Sequence, residues 1–146
     1  MLLKDHLRNL RRDHQAILAT NYYNLETLLA VVNAAKITGR ALILQLTESS
    51  ITYMGLDNAL TMGRSALKSA GVQGWIHLDH GGSVELAKKC LDAGFDSVMF
   101  DGSELPLDEN IALTKQVVAH ARATNAHVEA ELGYVAKLGQ SSEIGR

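Results

Sequence analysis

Hydrophobic positions along the chain follow two alternating patterns. Short runs that are almost wholly apolar begin near residues 17, 41, 75, 97 and 127. Such runs are typical of parallel strands that are buried on both faces. Between them, apolar residues recur at spacings of three and four, which predicts amphipathic helices. Each interval accommodates one strand, one helix and two loops, so the pattern predicts a parallel α/β sheet with right-handed crossovers.

Residues that begin or end helices support this division. The pattern predicts a leading helix over residues 2–12, and Asn24 is placed to cap the next helix. Pro106 lies near the start of a predicted helix over residues 107–123, where its missing N–H costs little. Three predicted helices are followed directly by a glycine, the residue that most often ends a helix, at Gly39, Gly71 and Gly94.

Composition narrows the class of protein. The chain has 146 residues, of which 47% are hydrophobic and 21% charged, with a net charge of −2, so we expect residues 1–146 to belong to a single globular domain. This charge does not favour nucleic acid or an acidic membrane as a partner. No run approaches the roughly 18 apolar residues of a membrane span. With Cys90 alone, no internal disulfide can form, and a cytoplasmic location is expected.

Polar residues stand where each predicted strand ends. They are Asn21, Thr47, Asp79, His80, Asp101 and Glu131. Ligands bind at the carboxyl ends of parallel strands, both in TIM barrels and in doubly wound sheets. One imidazole and three carboxylates therefore gather at one rim. Such a group suits a divalent metal, and the imidazole favours zinc among the common ones.

Helix capping is the competing interpretation of these residues. Taken singly, capping is the better explanation of Asn21, Asp79 or Asp101. It explains His80 poorly, because the Asp-His pair precedes two glycines. Glu131 closes a predicted buried strand, where a carboxylate without a partner is costly and a metal or cation would relieve the cost.

Other polar residues receive less specific predictions. His77 lies within a predicted strand, and a core histidine satisfied by hydrogen bonds is favoured over a ligand. Glu129 alternates with Glu131 and is expected to point outward. No predicted strand ends in lysine, which argues against Schiff-base chemistry in this segment.

Several segments resemble class II aldolases, in the same order along the chain. WIHLDHGG at residues 75–82 is similar to the His-x-Asp-His signature of the family. SVMFDGSELPLDEN at residues 97–110 resembles the next stretch, and VEAELG at residues 128–133 resembles the start of the second signature. Two further segments resemble the first and second strands, ATNYYNLETL at residues 19–28 and ALILQLT at residues 41–47.

The resemblance implies a TIM (β/α)8 barrel of which this chain supplies about the first half, strands 1–5. It implies metal-dependent, reversible cleavage of a ketose 1,6-bisphosphate, with fructose 1,6-bisphosphate giving dihydroxyacetone phosphate and glyceraldehyde 3-phosphate. Tagatose bisphosphate or a related ketose phosphate is the alternative substrate. A half-barrel that only binds or assembles is a second alternative, and a metal-dependent isomerase or epimerase is a third that the motifs disfavour.

Four of the rim residues take chemical roles by the resemblance. His80 matches the first zinc histidine, and Asp79 matches the catalytic aspartate that exchanges a proton with the hydroxyl at the cleaved carbon. Asp101 and Glu131 match carboxylates that bind a second or alternative metal position. The resemblance thus implies Zn²⁺, with a second divalent metal as an option.

Two rim residues match the substrate-binding positions of the family. Thr47 matches a Ser or Thr that contacts a substrate phosphate, and Asn21 matches an asparagine with a supporting role. The sequence departs from the family after Gly133, where the usual acidic pair is missing. Residues 134–146 are interpreted as a mobile active-site loop. Because the other two zinc histidines are expected outside this chain, we expect a homo-oligomer or association with the missing half, and an inactive isolated chain.

Overall fold

The computed structural model describes residues 1–133, which form one sheet of five parallel strands. The strands are β1 Leu18–Asn21, β2 Leu42–Thr47, β3 Gly74–Gly81, β4 Ser97–Phe100 and β5 His127–Ala130. They pair in chain order, β1-β2-β3-β4-β5. A doubly wound sheet has strands out of chain order, whereas sequential parallel strands form the wall of a barrel. The prediction of the first five strands of a TIM barrel is confirmed.

Six helices connect or flank the strands in this part of the chain. They are α1 Leu3–Arg12, α2 Leu25–Thr38, α3 Glu48–Met54, α4 Leu56–Ala70, α5 Val84–Ala93 and α6 Leu107–Thr124. Five of them match predicted helices. The exception is α3, whose seven residues are too few to show an apolar repeat. It begins where the backbone N–H of Ser50 donates to the hydroxyl of Thr47, over 3.2 Å.

The capping predictions are also confirmed. Asn24 caps α2 through a 2.9 Å bond from the backbone N–H of Thr27, as part of a capping box. Gly39, Gly71 and Gly94 follow α2, α4 and α5 in the left-handed conformation. These local signals set the lengths of the helices, and they thereby set where each strand begins.

The two faces of the sheet are covered differently. Helices α2–α6 pack on one face and bury its apolar side chains, among them Leu44, Ile76 and Val98, each 0% exposed. On the other face, α1 packs only at the amino ends of the strands, where Leu3 contacts Ile43 and Trp75. This second face, which α1 covers in part, is the inner face of the sheet. Near the carboxyl ends of the strands it carries polar side chains instead.

Strand β5 differs from its prediction. The sequence predicts a buried strand that Glu131 closes, but the strand ends at Ala130, and both Glu129 and Ala130 are exposed. The reason is its position at the edge of the sheet, because within residues 1–133 it has a strand neighbour on one side only. Glu131 follows the strand and is itself only 14% exposed. Residues 134–146, interpreted above as a loop, lie outside the described residues. No helix within residues 1–133 is long and apolar enough to cross a membrane.

Candidate active site

An extra residue in β3 places two consecutive side chains at the same rim. Leu78 pairs with Val98, whereas Gly81 pairs with Phe100, so β3 holds one residue more than β4 over this interval. Such a bulge re-aims side chains and often lies next to active sites. His80 has φ +50°, a left-handed conformation that costs a non-glycine residue roughly 1–2 kcal/mol. The backbone is therefore strained at His80, the residue directly after Asp79.

Gly81 makes this bulge possible. A Cβ atom at this position would lie 2.6 Å from Leu78 Cδ2 and 2.9 Å from the carbonyl oxygen of Met99. Only a residue without a side chain allows β3 to approach β4 so closely after the bulge. The glycine in the Asp-His-Gly sequence thus has a packing reason that is independent of helix capping.

His80 faces two carboxylates. Its Nδ1 lies 2.7 Å from Asp101 Oδ2, at the end of β4, and 3.3 Å from Glu131 Oε2, after β5. The hydroxyl and the backbone N–H of Ser103 both donate to the other oxygen of Asp101, over 2.6 and 3.1 Å. Asp101 therefore stabilises its own loop and also approaches His80. It does not cap α6, whose N-cap position is Pro106.

The pKa values of this pair move in opposite directions. The hydrogen bond to Asp101 raises the pKa of His80, and burial opposes it only in part. For Asp101, burial alone would raise the pKa, but hydrogen bonds from Ser103 and His80 outweigh it and lower the pKa below its ordinary value. Charge attraction at this rim therefore favours a cation next to the carboxylates.

The same residues could hold a metal ion. Ligand atoms from His80, Asp101 and Glu131 all lie within 4.8 Å of one another. One imidazole nitrogen and two carboxylate oxygens are donors that divalent cations accept, and zinc sites combine them. The donor set therefore fits a divalent metal.

Asp79 has different neighbours, two neutral amides. Asn21 Nδ2 donates to Asp79 Oδ2 over 2.8 Å, and Gln45 Nε2 donates to Asp79 Oδ1 over 3.2 Å. Each carboxylate oxygen accepts one bond and keeps a lone pair for another donor. Asn21 and Asp79 were candidates for helix caps, but α2 is capped by Asn24 and α5 by Ser83, so capping does not explain either residue.

The next residue after Asn21 anchors it. Tyr22 is 0% exposed, and its hydroxyl donates to the carbonyl oxygen of Ala59 over 2.7 Å. A side chain at Gly63 would collide with that hydroxyl at 2.8 Å. The end of β1 is thus attached to α4, which keeps Asn21 in reach of Asp79.

Thr47 lies level with Asp79 in the pairing of β2 with β3. Its hydroxyl is 2.9 Å from the hydroxyls of both Ser49 and Ser50, besides capping α3. Thr47 therefore has a structural role at the first turn of α3, which the sequence reasoning did not assign to it. Thr47 also lies at the rim, at the last residue of β2.

His77 lies one layer deeper on the inner face. Nδ1 shares a 2.8 Å hydrogen bond with Ser97 Oγ. Nε2 lies 3.2 Å from Glu129 Oε2, but the two groups are not aligned as a hydrogen bond. Burial lowers the pKa of His77, although the charges of Glu129 and Asp79 oppose this. The expected core histidine is thus present, but only one of its ring nitrogens is hydrogen-bonded. The expectation that Glu129 points outward is wrong: Glu129 faces His77, because residues two apart on a strand share a face and Glu131 is also directed to this side.

Sequence reasoning missed two residues that contact the predicted site. Gln45 is the only strongly polar residue inside the apolar run of β2, and it is two positions before Thr47, hence on the same face. Strand alternation could have identified it. Asn110 is 4% exposed on α6 and donates to the backbone oxygen of Glu131 over 2.9 Å. Only the packing of α6 on β5 reveals this contact.

Comparison with known proteins gives one consistent result. The family model for fructose-bisphosphate aldolase class-II matches residues 2–144. The chain is 44% identical over 128 residues to a fructose-bisphosphate aldolase of Treponema pallidum, covering 83% of the chain and 39% of that protein. It is 40% identical over 136 residues to a 6-phospho-5-dehydro-2-deoxy-D-gluconate aldolase of Bacillus licheniformis, covering 91% of the chain and 47% of the relative.

A solved structure agrees with these relatives. The YdjI aldolase of Escherichia coli K12 superposes with a TM-score of 0.83 at 30% identity, over 93% of this chain and 54% of that one. The chain therefore spans about half the length, or less, of the curated relatives and the solved structure that it matches.

Proposed function

The chain belongs to the class II fructose-bisphosphate aldolase family, and we propose that it supplies half of the active site of a metal-dependent aldolase. The proposed reaction is the reversible cleavage of fructose 1,6-bisphosphate into dihydroxyacetone phosphate and glyceraldehyde 3-phosphate. One observation carries the proposal: an amide-held carboxylate, Asp79, directly precedes the ring of His80, which faces two more carboxylates at the same rim.

Asp79 is the proposed acid/base. When the bond between C3 and C4 of the ketose breaks, the C4 hydroxyl must lose its proton as its oxygen becomes the aldehyde oxygen. A carboxylate within hydrogen-bond reach can accept that proton, and it can return the proton during condensation. The bonds from Asn21 and Gln45 would hold the carboxylate in one orientation, which lowers the entropy cost of reaching the reactive geometry.

His80 is the proposed zinc ligand, with Asp101 and Glu131 as oxygen donors for a second or alternative metal position. When bound, Zn²⁺ would supply a Lewis acid that polarises the ketose carbonyl. The donor distances around His80 support this assignment. Thr47, level with Asp79 on the next strand, is the proposed phosphate contact.

The rest of the active site would come from the remaining barrel strands. Catalytic zinc usually has three protein ligands and one open position, and His80 is the one matched zinc histidine in this chain. β1 and β5 each have one strand neighbour within residues 1–133, and an unpaired strand edge favours pairing. Association with a complementary half or with further copies, and a cytoplasmic location, stay predictions from the sequence.

A second substrate deserves equal testing. The Bacillus licheniformis relative, at 40% identity, is named as an aldolase of 6-phospho-5-dehydro-2-deoxy-D-gluconate. This compound is a phosphorylated keto sugar acid. The rim residues assigned above would act alike on either substrate, because both cleavages remove a hydroxyl proton. Tagatose 1,6-bisphosphate differs from the fructose compound only in stereochemistry and belongs in the same assay.

The test compares the purified 146-residue chain with a chimaeric barrel in which the remaining strands come from the Treponema pallidum relative. Zinc content, native mass and cleavage of all three substrates are measured for both, with His80→Ala as the metal control. We expect weak zinc binding and little cleavage from the chain alone, and zinc-dependent cleavage from the chimaera. Stoichiometric tight zinc with full cleavage by the monomeric chain would contradict the division between halves. A zinc-loaded chimaera that cleaves none of the substrates would contradict the aldolase proposal.

A further inference from the structure

Resting on the proposed metal site, we infer that Asn110 is a positioning residue that sets Glu131 relative to Asp101. Asn110 lies in the first turn of α6, far along the chain from both β3 and β5, and the chemistry proposed above does not use it. It is a buried polar side chain, 4% exposed, whose amide connects the two strand ends that carry the carboxylates.

The first connection is to Glu131. Asn110 Nδ2 donates to the backbone carbonyl oxygen of Glu131 over 2.9 Å. This bond acts where β5 has already ended, at Ala130, so the strand ladder no longer holds Glu131. The buried amide therefore replaces the missing strand pairing at the residue whose side chain approaches His80.

The second connection is to the end of β4. A Cβ atom on Gly102 would lie 2.6 Å from Asn110 Oδ1 and 2.7 Å from its Cγ. The backbone next to Asp101 thus packs directly against the Asn110 amide. Thr114 Oγ1 donates to Oδ1 over 3.1 Å, which fixes the amide plane. One rigid side chain touches the backbone beside both carboxylates.

The geometry gives Asn110 a role that apolar packing could not perform. An apolar residue would leave the Glu131 carbonyl without this donor and would free the segment after β5. Residues that orient metal ligands typically change metal affinity by about 10–100-fold when removed. We therefore expect Asn110→Ala to weaken Zn²⁺ binding by about tenfold or more.

The experiment is calorimetric titration of the full 146-residue chain with Zn²⁺ alone, at protein concentrations high enough to measure the weak binding expected of the isolated chain. Val117→Ala is the matched control, because Val117 is 0% exposed on the same helix and lies two turns after Asn110. Thr114→Val is a second control that keeps the bond from Nδ2 to Glu131. Asn110→Ala should weaken binding at least fivefold more than either control. An equal loss of Zn²⁺ affinity in all three variants would mean that Asn110 is a general packing residue, and it would overturn the inference.

A metal-free measurement separates this inference from the proposed site. Hydrogen exchange over residues 127–133, relative to β2, should increase in Asn110→Ala and stay near the wild-type value in Val117→Ala. If wild type and His80→Ala take up Zn²⁺ equally, the proposed metal site fails, and exchange alone then decides the role of Asn110. Equal exchange in the two α6 variants would overturn that role.

Discussion

Asp79 and His80 are neighbours in the chain but have opposite surroundings. Asp79 accepts hydrogen bonds from two neutral amides, whereas the ring of His80 faces two carboxylates. The amides, Asn21 and Gln45, come from β1 and β2 on one side of β3, and the carboxylates come from the ends of β4 and β5 on the other side. Strand β3 therefore divides the rim into an amide side and a carboxylate side.

The bulge explains how one strand end can contact two different groups of residues. A regular strand would point consecutive side chains to opposite faces. The extra residue between Leu78 and Gly81 removes that alternation, and each of the two residues then contacts the strands nearest to it. Substitutions on the two sides should therefore have separable effects: on turnover for the amide side and on metal affinity for the carboxylate side.

The largest separation is expected for Asp79→Asn. In the assembled enzyme, we expect this change to reduce kcat by roughly 10²–10⁴-fold, the usual contribution of a general acid/base. Zinc affinity should stay within about twofold of wild type, since the substituted carboxylate lies on the amide side. Asp57→Asn, on the exposed part of α4, is the control for charge removal. A large loss of zinc in Asp79→Asn would show that the two sides are not separate.

The reverse pattern is expected for Glu131→Gln. Removing one charged oxygen donor should weaken zinc binding by about 10–100-fold, whereas kcat at saturating zinc should fall far less. The measurement is turnover as a function of zinc concentration, with Glu129→Gln as the control two residues away. Loss of kcat that excess zinc does not restore would assign Glu131 a role in the chemical step instead.

Sequence reasoning was strongest for features that depend on local pattern. The five strands, the ends of α2, α4 and α5, and the rim position of each candidate residue all follow from apolar spacing, Asn24 and the glycines. The family resemblance depended on the same short segments. These are properties of a few adjacent residues, which is why they could be predicted without a structure.

Features that depend on packing between distant segments were missed. The bulge at His80 arises from register against β4, and Gly81, which permits it, does not by itself reveal it. The contact of Asn110 with Glu131 requires α6 to lie on β5. Helix α3 is too short to show an apolar repeat. The sequence predicts a buried β5 because the edge position of this strand follows from the sheet order, not from its own residues.

A smaller effect should distinguish the two amides that hold Asp79. The bond from Asn21 is 2.8 Å long and that from Gln45 is 3.2 Å long. A hydrogen bond to a charged group contributes about 1.5–3 kcal/mol, so Asn21→Ala should lower kcat by about tenfold or more. Gln45→Ala should lower it less, and neither should change zinc affinity. The opposite order in steady-state kinetics would show that the bond lengths do not rank the two contacts.

Below the rim, His77 offers the subtlest test of the division, through the pH dependence of stability. It is buried in the layer beneath Asp79 and bonds to Ser97 on β4. Burial lowers its pKa, and four charged or titratable groups face it with smaller and partly opposing effects: Glu129, Asp79, His127 and His80. Its net shift shows that desolvation outweighs the carboxylates around it.

The sign of the effect follows from linkage. Because the pKa of His77 is lowered from 6.5 in the folded chain, the unfolded chain binds more protons just below pH 6.5, and stability falls with falling pH there. The penalty for burying a histidine that resists protonation is absent well above pH 6.5. It grows as the pH falls from 6.5 to the lowered pKa, and the free energy of unfolding decreases over this range. Urea unfolding of the metal-free chain should therefore show a smaller loss of stability in this window for His77→Gln than for wild type. Ser97→Ala, which removes the bond but keeps the imidazole, should retain the wild-type slope. An equal slope in wild type and His77→Gln would mean that the carboxylates near the ring compensate its burial, and that the inner layer is not separated from the charges of the rim.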